Sequence, residues 1–145
     1  MQIVKIESEQ QLKQAFDIRL QVFVEEQGVP RELEMDEYDV SLEACSHFLA
    51  LNDEVPVATG RYKTLEQGIA KMQRIAVLKQ CRGLGVGKEL LLAMEEDAKR
   101  SGYVATVLDS QCSAEGFYTK LGYTTISDEP FLDAGIQHVR MKKLL

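Results

Sequence analysis

The chain has no run of the eighteen or so consecutive apolar residues that a membrane-spanning helix needs. Its start alternates apolar and polar residues and carries Lys5, where a secretory leader would follow a charged lead with an apolar stretch. The sequence therefore predicts no membrane partner, and cytoplasmic residence is the default. Cysteine is scarce: Cys45, Cys81 and Cys112 are odd in number, widely spaced and free of any CxxC pattern. That suggests neither a disulfide framework nor a zinc site. Basic residues are outnumbered, 17 against 23 acidic, and the net charge of -6 argues against a nucleic-acid partner, which a basic patch would normally hold. On charge alone, a cationic or neutral acceptor fits better. There is no internal repeat and no low-complexity tract. What is present, 145 residues with 45% hydrophobic, fits one domain spanning 1–145 with a sizeable core.

Gln2 to Ile6 reads as a short strand, and Ser8 with Gln11 three residues later has the form of a capping box. The helix it opens is expected to run to about Gln27, with Leu12, Ala15, Phe16 and Phe23 on its apolar face and Gly28 and Pro30 ending it. Arg19 falls on that face, where it either braces the fold through a carboxylate or points into a cleft; bracing is the favoured reading. The acidic stretch from Glu25 to Glu43, with Arg31 its single base, shows no clean period and is read as irregular, with room for a helical turn. Cys45 to Leu51, Val55 to Leu65 and Ile69 to Leu78 read as antiparallel strands joined by turns at Asn52-Asp53 and Gln67-Gly68. Leu84 to Arg100 is the clearest amphipathic helix. Tyr103 to Leu108 then forms a strand, Ser113 to Leu121 a short helix, and Tyr123 to Ile126 and Ile136 to Met141 two further strands. The strand, long helix and strand in succession imply a parallel pair joined by a right-handed crossover. The predicted class is α/β (α+β): a mixed, mostly antiparallel twisted sheet of about six to seven strands with helices on both faces.

Between a strand and the long helix stands Arg82-Gly83-Leu84-Gly85-Val86-Gly87-Lys88. Glycines here let a turn expose several N–H groups at a helix N-terminus, where free donors and the positive dipole end receive phosphate. The plainer alternative is a tight turn only. A Walker loop is set aside because Glu89 follows Lys88 where Ser or Thr is needed, and because Arg82 stands in place of the opening Gly. A dinucleotide fingerprint is set aside because Lys88 occupies the place of its third Gly and antiparallel strands precede it.

Two motifs follow one another at a fitting distance: Ile75-Ala76-Val77 with Arg82-Gly83-Leu84-Gly85-Val86-Gly87, and Ala114-Glu115-Gly116-Phe117-Tyr118-Thr119-Lys120-Leu121-Gly122-Tyr123. In both the chain resembles the GNAT superfamily of acetyl-CoA-dependent N-acyltransferases. Val-Phe-Val-Glu-Glu-Gln at 22–27, the acidic run behind it and the segment 131–138 resemble the ElaA-like subgroup. The resemblance implies that two parallel central strands splay to admit CoA. Backbone N–H groups from Gly83 to Lys88, with Arg82 at the loop's start, would then hold the diphosphate, and the edge of Ile75, Ala76 and Val77 would pair with the pantetheine arm. An N–H near Val77 would face the thioester carbonyl. A homodimer is compatible with the resemblance.

Tyr118, beside Phe117, is the expected general acid toward the CoA thiolate; its alternative is an amphipathic core tyrosine. Glu26 is the first candidate for the base that deprotonates the amine and His138 the second, each with a structural alternative as solvated helix end or strand histidine. His47 is read as core, and an acyl-cysteine at Cys112 is disfavoured because no His partner is evident. The acidic run at 32–39 is expected either to draw in a cationic amine or simply to be soluble surface. The leading expectation is N-acetyl transfer from acetyl-CoA to a small-molecule or protein amine. An acyl-CoA binding module without turnover and an acyltransferase with a different donor are the alternatives.

Overall fold

The computed structural model describes residues 1–145. Eight strands form one sheet in the order β1-β2-β3-β4-β5-β8-β6, with β7 paired to β8. The strands are β1 Gln2–Lys5, β2 Ser46–Asn52, β3 Val55–Glu66, β4 Ile69–Val77, β5 Ala105–Gln111, β6 Thr124–Thr125, β7 Phe131–Asp133 and β8 Ile136–Leu144. The helices are α1 Glu9–Arg19, α2 Arg31–Glu34, α3 Val86–Arg100 and α4 Glu115–Lys120. Only β4 and β5 run parallel, and α3 is the crossover between them. Strand β7 and its hairpin with β8 are not predicted from the sequence; its three-residue arm and its turn at Ala134 and Gly135, both at positive φ, leave too short a pattern for a period of two to show.

Each face of the sheet buries its own apolar set. Leu90, Leu91, Met94 and Ala98 of α3 pack on Phe48, Ala58, Tyr62 and Met72, while Leu12, Ala15, Ile18 and Val22 pack on Ile6, Leu49 and Ala76 on the other side. The Ser8 cap forms as expected, its Oγ accepting from Gln11 N at 3.2 Å, but the Gln11 side chain returns to the N–H of Glu7 instead of Ser8. The first helix does not stay α-helical to Gln27: Leu20–Glu26 widens to π-helical winding. Such widening is rare and gathers at functional sites.

One register break positions the site. Residues β4 Ile69 to Met72 pair with β5 Ala105 to Leu108, and there the ladder stops although β4 continues to Val77 and β5 to Gln111. The β3–β4 register shifts over the same stretch, and Arg74 sits at φ 57. An extra residue in one strand leaves two successive side chains on the same face. Met72 faces α3, yet Gln73 and Arg74 both turn toward the α1 side, after which Ile75 and Val77 face α3 and Ala76 faces α1. The bulge therefore resets the phase of the strand where its parallel neighbour departs.

Candidate active site

The splay opens a cavity of about 430 Å³. Phe23 of the π-helical segment and Gln27 at its C-terminal cap line it, as do Met72 to Ile75 of β4, Leu108 to Gln111 of β5, Tyr118 of α4 and His138 of β8. Across its mouth Gln111 Nε2 donates to Gln27 Oε1 at 2.8 Å, joining the end of β5 to the end of the first helix.

Successive residues of a strand present their amide groups to opposite edges. Leu78 N–H is bonded to Val57 O of β3 at 2.9 Å, so Ala76 also turns its N–H toward β3 while Ile75 and Val77 turn theirs into the gap. Of the three residues expected to meet the pantetheine arm, Ile75 and Val77 offer that edge and Ala76 does not. The carbonyl of Val77 is already engaged, accepting from Arg82 Nε at 3.0 Å.

Beyond β4 the chain reaches Gly83 and Gly85, at φ 80 and 81, a left-handed conformation that any side chain would strain. Gly85 caps α3 without a side-chain bond, and the first amide of the turn to find an acceptor in the chain is Glu89, on Gly85 O at 3.1 Å. The amides of Gly83 to Lys88 are thus left free at the positive end of a fifteen-residue helix, with Leu84 and Lys88 pointing outward. The two motifs of the sequence meet here: a Cβ placed on Gly87 would lie 3.5 Å from Val77 Cγ2 and 3.6 Å from Phe117 Cζ. Val86 is buried beneath the turn.

Tyr118 sits edge-on between Phe117, at 5.0 Å between ring centroids, and Tyr123, at 6.0 Å. Its hydroxyl has no hydrogen-bond partner in the chain, and burial alone pushes the phenol up to about 12. Tyr123 is anchored in turn: its hydroxyl donates to Glu95 Oε2 at 2.8 Å and meets Thr106 Oγ1, while Lys143 Nζ reaches Glu95 Oε1 at 2.7 Å. His138 also lines the cavity, stacked on Phe131, with Nδ1 2.7 Å from the carbonyl of Ile136. That carbonyl can only accept, so Nδ1 donates its proton there and Nε2 is the ring nitrogen left to accept one.

Glu26 lies elsewhere. Both its oxygens accept from Arg82, at 2.7 and 2.6 Å, and it does not line the cavity. The Arg82 hydrogen bonds hold its carboxyl below the usual range, which makes it a poorer base than the sequence reading allowed. The same pair commits the Arg82 side chain, so the free donors of the loop are backbone amides.

The acidic run is only in part solvated surface: Glu32 and Glu37 are exposed, but three of its carboxylates are paired with arginines. Glu34 and Asp39 are buried, and with Asp36 they meet three arginines: Arg19 bonds Glu34 at 2.5 Å and Asp39 at 2.7 Å, Arg61 bonds Asp36 at 2.6 Å and Asp39 at 2.8 Å, and Arg74 lies beside Glu34 and Asp36. Arg19 braces the fold, as favoured from the sequence. Arg74 and the Gln27–Gln111 bridge carried no signal in the sequence, because a bulge and a cross-chain contact leave no periodic trace. His47 is core as expected, beside Cys45, whose thiol burial pushes up to about 11. No group of three or more His, Cys, Asp or Glu side chains is gathered to hold a metal, and no helix is long and apolar enough to cross a membrane.

Comparison with known proteins agrees with this geometry. The acetyltransferase (GNAT) domain family matches residues 5–145. A Bacillus subtilis (strain 168) relative, named as an acetyltransferase, is 47% identical over 143 residues, 99% of this chain and 96% of its own length. The crystal structure of a Lactobacillus plantarum protein described as an N-acetyltransferase superposes with a TM-score of 0.91 at 28% identity, covering 99% of this chain and 97% of that one. Escherichia coli ElaA superposes with a TM-score of 0.86 at 25% identity, covering 99% of both chains. With a splayed parallel pair, free amides at the start of α3 and a family match across nearly its whole length, the chain belongs to the GNAT family of acetyl-CoA-dependent acyltransferases.

Proposed function

We propose that this enzyme moves an acetyl group from acetyl-CoA to a primary amine by direct attack within a ternary complex. The observation that carries the proposal is Tyr118, a half-buried phenol on the cavity wall with no internal hydrogen-bond partner. In this reading the amides of Gly83 to Lys88 hold the diphosphate and the pantetheine arm follows the open edge of Ile75 and Val77. The Val77 N–H faces the thioester carbonyl, a contact worth about 3 kcal/mol in the transition state. As the carbon–sulfur bond breaks, Tyr118 donates its proton to the departing thiolate; a phenol kept protonated up to about pH 12 holds that proton at any working pH. Nε2 of His138, oriented by the Ile136 carbonyl, takes the proton from the amine. Glu26 leaves the list of bases and becomes the partner that fixes Arg82.

Kinship with the ElaA-like subgroup is part of this reading, supported by the superposition on ElaA and by the resemblance read from the segments 22–27 and 131–138. A homodimer with a small-molecule amine as acceptor belongs to it as well. The deciding experiment measures CoA thiol released from acetyl-CoA across an amine panel, alongside calorimetric titration of acetyl-CoA. Heat on titration with amine-dependent thiol release supports transfer. Heat without release by any amine points to a binding module, and no heat sinks both.

A further inference from the structure

The cavity wall carries a cation that the transfer chemistry above does not use. Arg19 and Arg61 are sealed, their side chains 1% exposed and their shortest carboxylate contacts 2.5 and 2.6 Å. Arg74 differs from both. Its side chain is 24% exposed, and its contacts are all long: Nε to Glu34 O at 3.3 Å and Glu34 Oε1 at 3.5 Å, Nη2 to Asp36 Oδ2 at 3.4 Å. Nη1 has no partner in the chain, and the residue lines the cavity. The carboxylates beside it are already drawn to the other two arginines at shorter range. Of the three guanidiniums, Arg74 alone has its pKa lowered, by burial and by Arg61 and Arg19, whereas those of Arg19 and Arg61 are raised. Its backbone is also the strained one, at φ 57 on a non-glycine residue, and strain of about 1–3 kcal/mol persists where the surrounding structure or function demands it. The bulge turns this side chain toward the α1 side, immediately before the Ile75–Val77 edge.

We propose that the acceptor is an amino acid or a similar small amino-carboxylate, whose carboxylate is received by the Arg74 guanidinium while its amine points toward the thioester. This rests on the transfer reading above. A guanidinium fork matches a carboxylate in two parallel hydrogen bonds, and a wall cation with spare N–H groups is the fitting partner for such a group. Lys71, the other cation on this wall, is held by Asp109 at 3.1 Å and leaves that task to Arg74. A cavity of about 430 Å³ that also admits the acetyl end of the donor has room for a small amine.

The test compares thiol release for matched pairs, leucine with leucinamide and methionine with methioninamide, adding O-phosphoethanolamine as a phosphate-bearing amine. A charged hydrogen bond worth about 1.5–3 kcal/mol gives the acid a kcat/KM advantage on the order of 10- to 150-fold over its amide. The amide has the more readily deprotonated amine, so basicity works against that preference. In Arg74→Gln the advantage collapses through the KM of the acid, while calorimetric affinity for acetyl-CoA and the urea midpoint confirm a folded protein. Arg74→Lys, which keeps the charge without the fork, retains part of it. Equal or better turnover of the amides, an acid preference that survives Arg74→Gln, or a preference for O-phosphoethanolamine overturns the carboxylate assignment and leaves acetyl transfer standing. Failure of every amine although acetyl-CoA binds overturns both.

Discussion

The buried charge network beneath the cavity has a stability that Asp39→Asn would measure. Asp39 accepts from Arg19 Nη1 at 2.7 Å and Nη2 at 2.9 Å, from Arg61 Nη1 at 2.8 Å and from Asp36 N at 3.0 Å. Burial would raise its carboxyl, but the Arg19 hydrogen bonds and the charges of Arg19 and Arg61 outweigh that and hold it well below the usual carboxylate range. An asparagine keeps the shape yet leaves an uncompensated positive charge among buried groups and turns an NH2 toward guanidinium donors. Breaking a buried pair in this way costs about 3–5 kcal/mol. With a urea m-value of about 2 kcal/mol per M, the unfolding midpoint falls by roughly 1.5–2.5 M. The pH response follows from the depressed carboxyl: its stabilisation is complete above the unfolded value near 4 and is lost as pH falls through the lower folded value. Wild type therefore weakens on acidification below about pH 5, and Asp39→Asn weakens less steeply there. Urea titrations at pH 7 and pH 4, followed by circular dichroism, read both effects. Coincident midpoints at pH 7, or parallel losses on acidification, would refute the idea that this carboxylate locks the two arginines.

Tyr118→Phe keeps the ring contacts and removes a hydroxyl that bonds nothing in the chain, so its unfolding midpoint stays at the wild-type value while kcat falls about 10²- to 10⁴-fold and acetyl-CoA still binds. Steady-state kinetics beside calorimetry checks this, and an unchanged kcat would remove Tyr118 from the chemistry. Glu26→Gln leaves kcat essentially intact, since the carboxylate serves Arg82; a collapse of kcat with normal acetyl-CoA affinity would restore Glu26 as the base. Gly85→Val forces a branched side chain to φ 81 at the cap of α3 and weakens acetyl-CoA binding by more than about 10-fold, read by titration calorimetry. Gly60→Ala brings its new Cβ within 2.7 Å of Met94 Sδ, and thermal unfolding should register a loss of about 1–3 kcal/mol.

The parts of the site that were legible in the sequence are those written in adjacent residues. The glycine turn before α3 and the Phe117-Tyr118 pair declare themselves by local chemistry, and the structure brings them together at Gly87. Strand and helix order was readable because α3 keeps its helical period for fifteen residues and β2 to β4 are runs of seven residues or more parted by short turns. What escaped notice depends on partners far apart in the chain. Glu34, Asp36 and Asp39 look like solvated charge until β3 and β4 supply Arg61 and Arg74. Glu26 looks like a free helix end until Arg82, 56 residues on, takes both its oxygens. The π-helical winding of Leu20–Glu26 accompanies the packing of Val22 and the reach of Gln27 to Gln111, and neither partner is visible locally.

The bulge at Arg74 ties these pieces together, and deleting that residue would test the connection. A strand reverses the face of every side chain when its register slips by one. Without the extra residue Ile75 and Val77 would turn toward the α1 side and Ala76 toward α3, leaving Val77 unable to pack beside Gly87 and Phe117. The residues after the bulge thus already assume it: Ala76 is the small residue where α1 lies close, and Ile75 and Val77 are the branched ones where α3 must be met. A deletion variant would lose this packing and the parting of β4 from β5 together, so acetyl-CoA binding and cooperative unfolding should disappear in the same protein. If the variant instead bound acetyl-CoA normally, the opening between the strands would owe nothing to the bulge, and the role given to Arg74 at its edge would lose its structural footing.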